Sequence, residues 1–270
     1  MKSIVTISLA AVLLIAALFF VLRPGDILEN ELEIFSWWTA IGEEEGLEAL
    51  YRLYREQNPG VDIINATVVG GAGFNARSVL ERRLDGGNPP DAFQVIAGPG
   101  LMNTWIEPGY LEDLSSIYRE KNLFELLPEV ITDKLRYRGG IYAIPINIHR
   151  ENVLWYNVSL FERYGISPPD THRQLLEVME KLAARGVTPL ALGDRNEWPA
   201  SHLFESIMVA NLGEEKYRGL WDGTTMWDSP EMETALVEFL GVMEYVNSDH
   251  GALTWDEAVQ YMVDGKCAMT

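Results

Sequence analysis

LEIFSWWTAIGEEEGLEALYRLYREQNPGVDIINATVVGG, residues 32–71, decides the fold class. Leu32-Glu33-Ile34-Phe35-Ser36-Trp37 alternates apolar and polar residues as a strand does. Glu44 to Gln57 then places Leu47, Leu50, Tyr51 and Tyr54 at the i, i+3, i+4, i+7 spacing of one helix face, and Asn58-Pro59-Gly60 stops the helix. Val61 to Val69 returns to strand composition, Gly70 to Gly73 is a loop, and Ala76 to Leu84 is a second helix with Arg77, Arg82 and Arg83 on its polar side. A turn from Asp85 to Pro90 leads into a third strand, Asp91 to Val95. Strand, helix, strand, helix, strand predicts an α/β fold with a mostly parallel sheet.

Downstream the style persists without an internal repeat. Gly139 to Ile146 reads as a turn and an extended segment, and Asn152 to Tyr156 as a strand. Asp170-Thr171 caps a helix over Leu175 to Ala184, and helices are expected over His202–Leu212, Met232–Val246 and Trp255–Val263. Cys267 to Thr270 reads as the opening of a strand. Upstream, Ile4 to Leu22 carries no charge and lies between Lys2 and Arg23, long enough for about 30 Å of hydrocarbon. Residues 1–24 are therefore expected to be an export signal or a membrane anchor. The bulky Phe19-Phe20-Val21-Leu22 argues against a small-x-small cleavage site and for the uncleaved anchor. Lys2 on the inner side would leave the body outside the cytoplasm, periplasmic or extracytoplasmic.

The 270 residues carry 40 acidic and 21 basic side chains, a net charge of −19, and no basic cluster, which argues against nucleic acid or an anionic lipid surface as partner. The single cysteine, Cys267, excludes an internal disulfide and a thiolate zinc site. His149, His172, His202 and His250 form no HExxH pattern, and there is no GxSxG, GxxxxGK[ST] or GxGxxG motif, so no metal or cofactor is expected.

Six stretches carry a family resemblance: residues 32–38 (LEIFSWW), 65–73 (NATVVGGAG), 89–94 (PPDAFQ), 140–150 (GIYAIPINIHR), 152–157 (NVLWYN) and 264–270 (DGKCAMT). In this order the chain resembles the carbohydrate-binding proteins of bacterial ABC importers, extracellular solute-binding family 1, and most closely the glucose- and mannose-binding branch. The resemblance implies a two-lobed, hinge-closing, periplasmic-binding-protein-like fold of type II, with lobes over 31–146 and 147–270. Family members are longer, so the fold is expected to be incomplete at the C-terminus, and the usual lipidated cysteine is absent. The implied function is non-enzymatic: a monomer outside the cytoplasm that binds a monosaccharide such as glucose or mannose and docks on ABC permease subunits. A secreted glycoside-acting enzyme and a non-functional fragment of a receptor are the alternatives.

Sugar chemistry suits these residues. A pyranose presents a flat C–H face and a rim of hydroxyls, and so needs aromatic platforms with amide and carboxylate groups beside them. The resemblance assigns sugar contact to Trp37, Trp38 and Glu43, with Glu44 as a substitute for Glu43; core tryptophans and a helix-dipole glutamate are the other reading. Gly70 and Gly71 let backbone amides approach a ligand, or form an ordinary turn. Gln94, ending the third strand, can pair two hydroxyls through one amide; two positions on, Ile96 stands where the branch often has histidine. Asn147, His149 and Arg150 lie in the crossing between lobes, His149 being as well suited to an interdomain contact as to a ligand. Trp255 matches the stacking aromatic of the second lobe, and Trp198 is a weaker candidate.

Overall fold

The computed structural model describes residues 30–69, 73–150 and 152–270. The apolar run 4–22, and Gly70 and Gly71, lie outside the described residues. Among the described residues no helix is long and apolar enough to cross a membrane. The chain divides at Gly140–Ile141 into two compact units, ahead of the crossing expected at 146–147.

In the first unit, β1 (Glu31–Ser36) lies between β2 (Asp62–Thr67) and β3 (Ala92–Phe93), all parallel. Register runs Glu31↔Asp62 to Ser36↔Thr67 on one side and Phe35↔Phe93 on the other. Helix α1 (Ile41–Gln57) covers one sheet face: Leu47 and Tyr51 pack with Trp38, Ile34 and Ile63. Helix α2 (Phe74–Asp85) meets the face carrying Glu33 and Phe35, because successive strand residues point to opposite sides. The polar positions Glu33 and Ser36 of the alternating strand are thus half-buried and buried. Arg83 of α2, expected on a polar helix side, instead holds Glu33 with two bonds of 2.7 and 2.5 Å, its guanidinium 5.9 Å from the Phe35 ring. Those bonds keep the Glu33 carboxyl below its ordinary range.

β3 is shorter than the expected 91–95 because the chain leaves the sheet at Gln94, whose N–H donates to Phe35 O at 2.9 Å. A π-helical turn over Leu101–Ile106 follows, burying Leu101, Trp105 and Ile106, with Trp105 against Phe93 at 5.5 Å between ring centroids. Three short helices, α3 (Ser115–Glu120), α4 (Leu123–Leu126) and α5 (Glu129–Thr132), lead to a two-stranded ribbon of β4 (Arg136–Tyr137) and β5 (Gly140–Ile141).

The second unit is built around β6 (Thr188–Leu190), paired in parallel with β7 (Cys267–Met269). The expected strand over Asn152–Tyr156 is reduced to an antiparallel bridge of Tyr156 with Met269 and reciprocal 3.0 Å bonds between Trp155 and Thr270. Five helices surround this pair: α6 (Val158–Tyr164), α7 (His172–Ala183), α8 (Trp198–Asp222), α9 (Pro230–Met243) and α10 (Trp255–Val263). Thr171 caps α7 by accepting the Gln174 N–H at 3.2 Å. α8 is broken at Gly213 (φ 70°, ψ 173°) into two segments. The core joins Phe161, Met179, Leu182, Ile207, Ala235, Val242 and Met269.

Candidate functional site

The carboxyl ends of parallel strands gather loops that no further strand covers, and open α/β sheets bind their ligands there. In the first unit this edge carries Ser36, Trp37, Trp38 and Gln94. Trp37 and Trp38 follow the end of β1 on opposite sides of the chain. Trp38 turns under α1 onto Leu47 and Tyr51 and is 8% exposed, taking the core role that was the other reading of the pair. Trp37 stays half-buried at the edge, its indole against Gly73. A Cβ on Gly73 would lie 3.1 Å from Trp37 Cδ2, and the backbone there is left-handed (φ +94°), so both the space and the conformation call for glycine.

Gln94 returns from β3 to the same edge. Its Oε1 accepts from the Ser36 hydroxyl at 2.7 Å and from the Trp37 backbone N–H at 3.3 Å, while Ser36 Oγ accepts the Trp38 N–H at 3.0 Å. Ser36 is buried and was not singled out in the sequence; a hydroxyl at a polar strand position carries no mark of its partner. Glu43 is half-buried and Glu44 exposed, both in the first turn of α1, where a carboxylate is favoured by the helix dipole. Ile96 is an exposed aliphatic side chain beyond Gln94.

The second unit has its own exposed aromatic. Trp255 is the first residue of α10 and is 38% exposed. The preceding Thr254 and Glu257 form a reciprocal cap, with the Thr254 N–H donating to Glu257 Oε2 at 2.7 Å, which lowers the glutamate's pKa. The loop after β6 braces this turn. Asp194 N–H donates to His250 O (2.7 Å), Arg195 N–H to Leu253 O (2.9 Å), and Arg195 Nε to Ala252 O (2.7 Å). Gly193 lies so close that a Cβ there would stand 2.0 Å from Thr254 O and 2.9 Å from Trp255 N.

Beneath it, buried Asn247 accepts the Leu192 N–H at 2.7 Å and donates to Asp249 Oδ1 at 2.8 Å, and Tyr261 OH donates to Asp249 Oδ2 at 2.8 Å. These bonds hold Asp249 below its ordinary pKa. Gly193 and Asn247 escaped the sequence reading, because their partners, Thr254 and Leu192, lie 61 and 55 residues away along the chain.

Trp198 opens α8 half-buried, edge-on to His202 with 5.2 Å between centroids. His149 is exposed in the second unit, its Nε2 2.7 Å from Asn147 Nδ2. The structure thus joins Trp37, Gln94 and the edge around them, places Glu43 on the following helix, and sets Trp255 on a separate brace. Among the described residues no group of three or more His, Cys, Asp or Glu side chains is placed to hold a metal ion.

The family model described as bacterial extracellular solute-binding protein matches residues 29–270. An uncharacterized ABC transporter extracellular-binding protein of Pyrococcus horikoshii is 41% identical over 243 residues, covering 89% of this chain and 55% of its own length. A probable sugar-binding periplasmic protein of Rhizobium meliloti is 26% identical, covering 94% of this chain and 60% of its own. The chain thus spans a little over half the length of these relatives. A solved structure from work on xylan utilization by the thermophilic bacterium Caldanaerobius polysaccharolyticus superposes with a TM-score of 0.76 at 25% identity, over 88% of this chain and 60% of that one. This likeness agrees with the expected α/β fold of type II.

Proposed function

The chain belongs to the bacterial extracellular solute-binding protein family, and we propose that it binds a sugar outside the cytoplasm for an ABC importer. The observation that carries this reading is the edge of the first unit: a half-buried indole on a glycine, beside an amide held by Ser36 and the Trp37 backbone. A pyranose C–H face on Trp37 would remove roughly 100 Å² of apolar surface from water, worth about 2.5 kcal/mol, with hydroxyls meeting Gln94 and Glu43. Trp255 offers a second platform in the other unit. The name borne by the Rhizobium meliloti relative points to the same ligand class.

Within that class we favour a monosaccharide such as glucose or mannose, with Trp37, Trp38, Glu43, Gly70, Gly71, Gln94, His149 and Trp255 as the contact set. Of these, Trp38 contributes through the core beneath the site. The protein acts as a monomer, held outside the cytoplasm by its N-terminal segment as signal or anchor, and hands its ligand to permease subunits without turnover. Delivery requires the permease to distinguish loaded from empty receptor, so the sugar must bind one conformational state better than another. Calorimetric titration with glucose, mannose, galactose and a set of disaccharides, followed by chromatography of the recovered sugar, tests the proposal. Saturable heat with the sugar recovered intact supports it. Hydrolysis products would move the reading to a glycoside-acting enzyme, and no heat with any sugar would overturn it.

A further inference from the structure

The hydrogen bonds at the end of β1 settle which way the Gln94 amide faces. A backbone N–H can only donate, so the Gln94 atom 3.3 Å from Trp37 N is the oxygen. That same oxygen lies 2.7 Å from Ser36 Oγ, and since an amide oxygen cannot donate, the Ser36 hydroxyl gives it its proton while accepting the Trp38 N–H at 3.0 Å. Both lone-pair positions of Oε1 are then taken from the protein side. Among the described residues Nε2 has no partner of its own.

We infer that Ser36 is a positioning residue that fixes the polarity of Gln94, so that this amide offers a ligand two N–H donors and no acceptor, and that the ligand group opposite it is recognised as a hydrogen-bond acceptor. The inference takes its ligand class from the sugar-receptor reading and its polarity from the geometry alone. A sugar hydroxyl facing Gln94 would accept from Nε2 and keep its own proton for another partner. Glu43 and Glu44, which can only accept when ionised, lie on the next helix and suit that second role. A single hydroxyl bridging donor and acceptor is then distinguished from a group that only donates. Ser36 touches no ligand in this scheme. It acts through Gln94, and its burial in the strand keeps water from competing for Oε1.

Two arms test the inference. The first needs no ligand: Gln94→Glu puts a carboxylate in place of the amide, and its titration is followed by carbon-13 NMR with and without Ser36→Ala. If Ser36 and Trp37 bond the inner oxygen, the introduced carboxylate titrates below the usual ~4.3 and moves back up when the Ser36 hydroxyl is removed. The same value in both proteins would overturn the inference.

The second arm compares D-glucose with its 2-, 3-, 4- and 6-deoxyfluoro analogues, since fluorine accepts but cannot donate. For one ring position, the penalty for fluorine should be at least tenfold larger in Gln94→Glu than in the unsubstituted protein, which is about 1.4 kcal/mol. An equal penalty at all four positions would overturn it. Should Gln94→Glu fail to fold, Ser36→Ala should weaken glucose several-fold and Ser36→Thr, which keeps the hydroxyl, should restore it; equal affinity in both contradicts the role given to Ser36. If glucose does not bind at all, the choice of sugar falls while the titration arm still decides whether Ser36 bonds the inner atom of residue 94.

Discussion

Gly193→Ala is the most demanding perturbation of the second unit, because the added methyl meets backbone and no rotamer can relieve it. The Cβ would stand 2.0 Å from Thr254 O, 2.4 Å from Thr254 C and 2.9 Å from Trp255 N. To reach 3.0 Å, a separation below which Cβ contacts are essentially unknown, Thr254 must withdraw by about 1 Å (3.0 − 2.0). That carbonyl also accepts the Ala258 N–H at 3.1 Å, and the same turn is tied by Arg195 N–H to Leu253 O at 2.9 Å.

Overpacking of this kind costs about 1–3 kcal/mol, and a strained or lost hydrogen bond adds about 1 kcal/mol. A total of about 2–4 kcal/mol should lower the melting temperature of a unit of this size by roughly 6–16 °C. Differential scanning calorimetry reads the shift, with Gly251→Ala as the control, since its Cβ meets nothing within 4 Å and it lies in the turn leading to Thr254, on which Gly193 packs. Because Trp255 begins the displaced helix, the variant should also lose sugar affinity beyond what the melting shift explains. A Gly193→Ala protein melting within about 2 °C of the control would refute the close packing of these two loops.

Replacing Asn247 by Ala leaves the Leu192 N–H without its acceptor in a buried place, and chemical denaturation should report a loss of about 1–3 kcal/mol. Glu33→Gln should cost about 1–2 kcal/mol at pH 7 by breaking the charge-assisted pair with Arg83. The folded-state pKa of Glu33 is depressed, so its stabilisation is present above the ordinary ~4.3 and fades as pH falls through the lowered value. Urea midpoints of the two proteins should therefore converge on acidification below pH ~4, and a constant difference down to pH 2 would contradict the pairing. Burial pushes the Cys267 thiol up to about 11, so an aromatic disulfide reagent at pH 8 should leave the native protein unmodified and titrate one thiol in urea. Rapid modification of the native protein would place that strand outside the core.

Sequence periodicity carried the first unit furthest. Of the expected apolar face of α1, Leu47 and Tyr51 are buried while Leu50 and Tyr54 are exposed, so the buried stripe is narrower than the spacing implied, and the Asn58-Pro59-Gly60 stop fell where that helix ends at Gln57. Trp37 and Trp38 could not be separated that way, since adjacent strand residues face opposite sides and either could have been the inner one. The packing of Leu47 and Tyr51 on Trp38 is what decides it. β6 was hidden by Pro189, which ordinarily argues against a strand; the pairings to β7 are made by Thr188 and Leu190 on either side of it. α6 was passed over although Asn157 caps it and Gly165 closes it with a left-handed turn (φ 62°), because seven residues give too few turns for periodicity to show. The braces under Trp255 join residues far apart in the chain, and no local pattern announces that Gly193 must lack a side chain because Thr254 lies against it.

The proposal that Trp37 and Trp255 are the sugar platforms is tested most directly by titrating intrinsic tryptophan fluorescence with glucose, mannose and galactose in the unsubstituted chain, Trp37→Phe and Trp255→Phe. The expected result is a saturable change for at least one sugar, with affinity reduced about tenfold or more in each variant and melting temperature nearly kept. Unchanged sugar affinity in both well-folded variants, or no saturable response in the unsubstituted chain, would contradict the assignment.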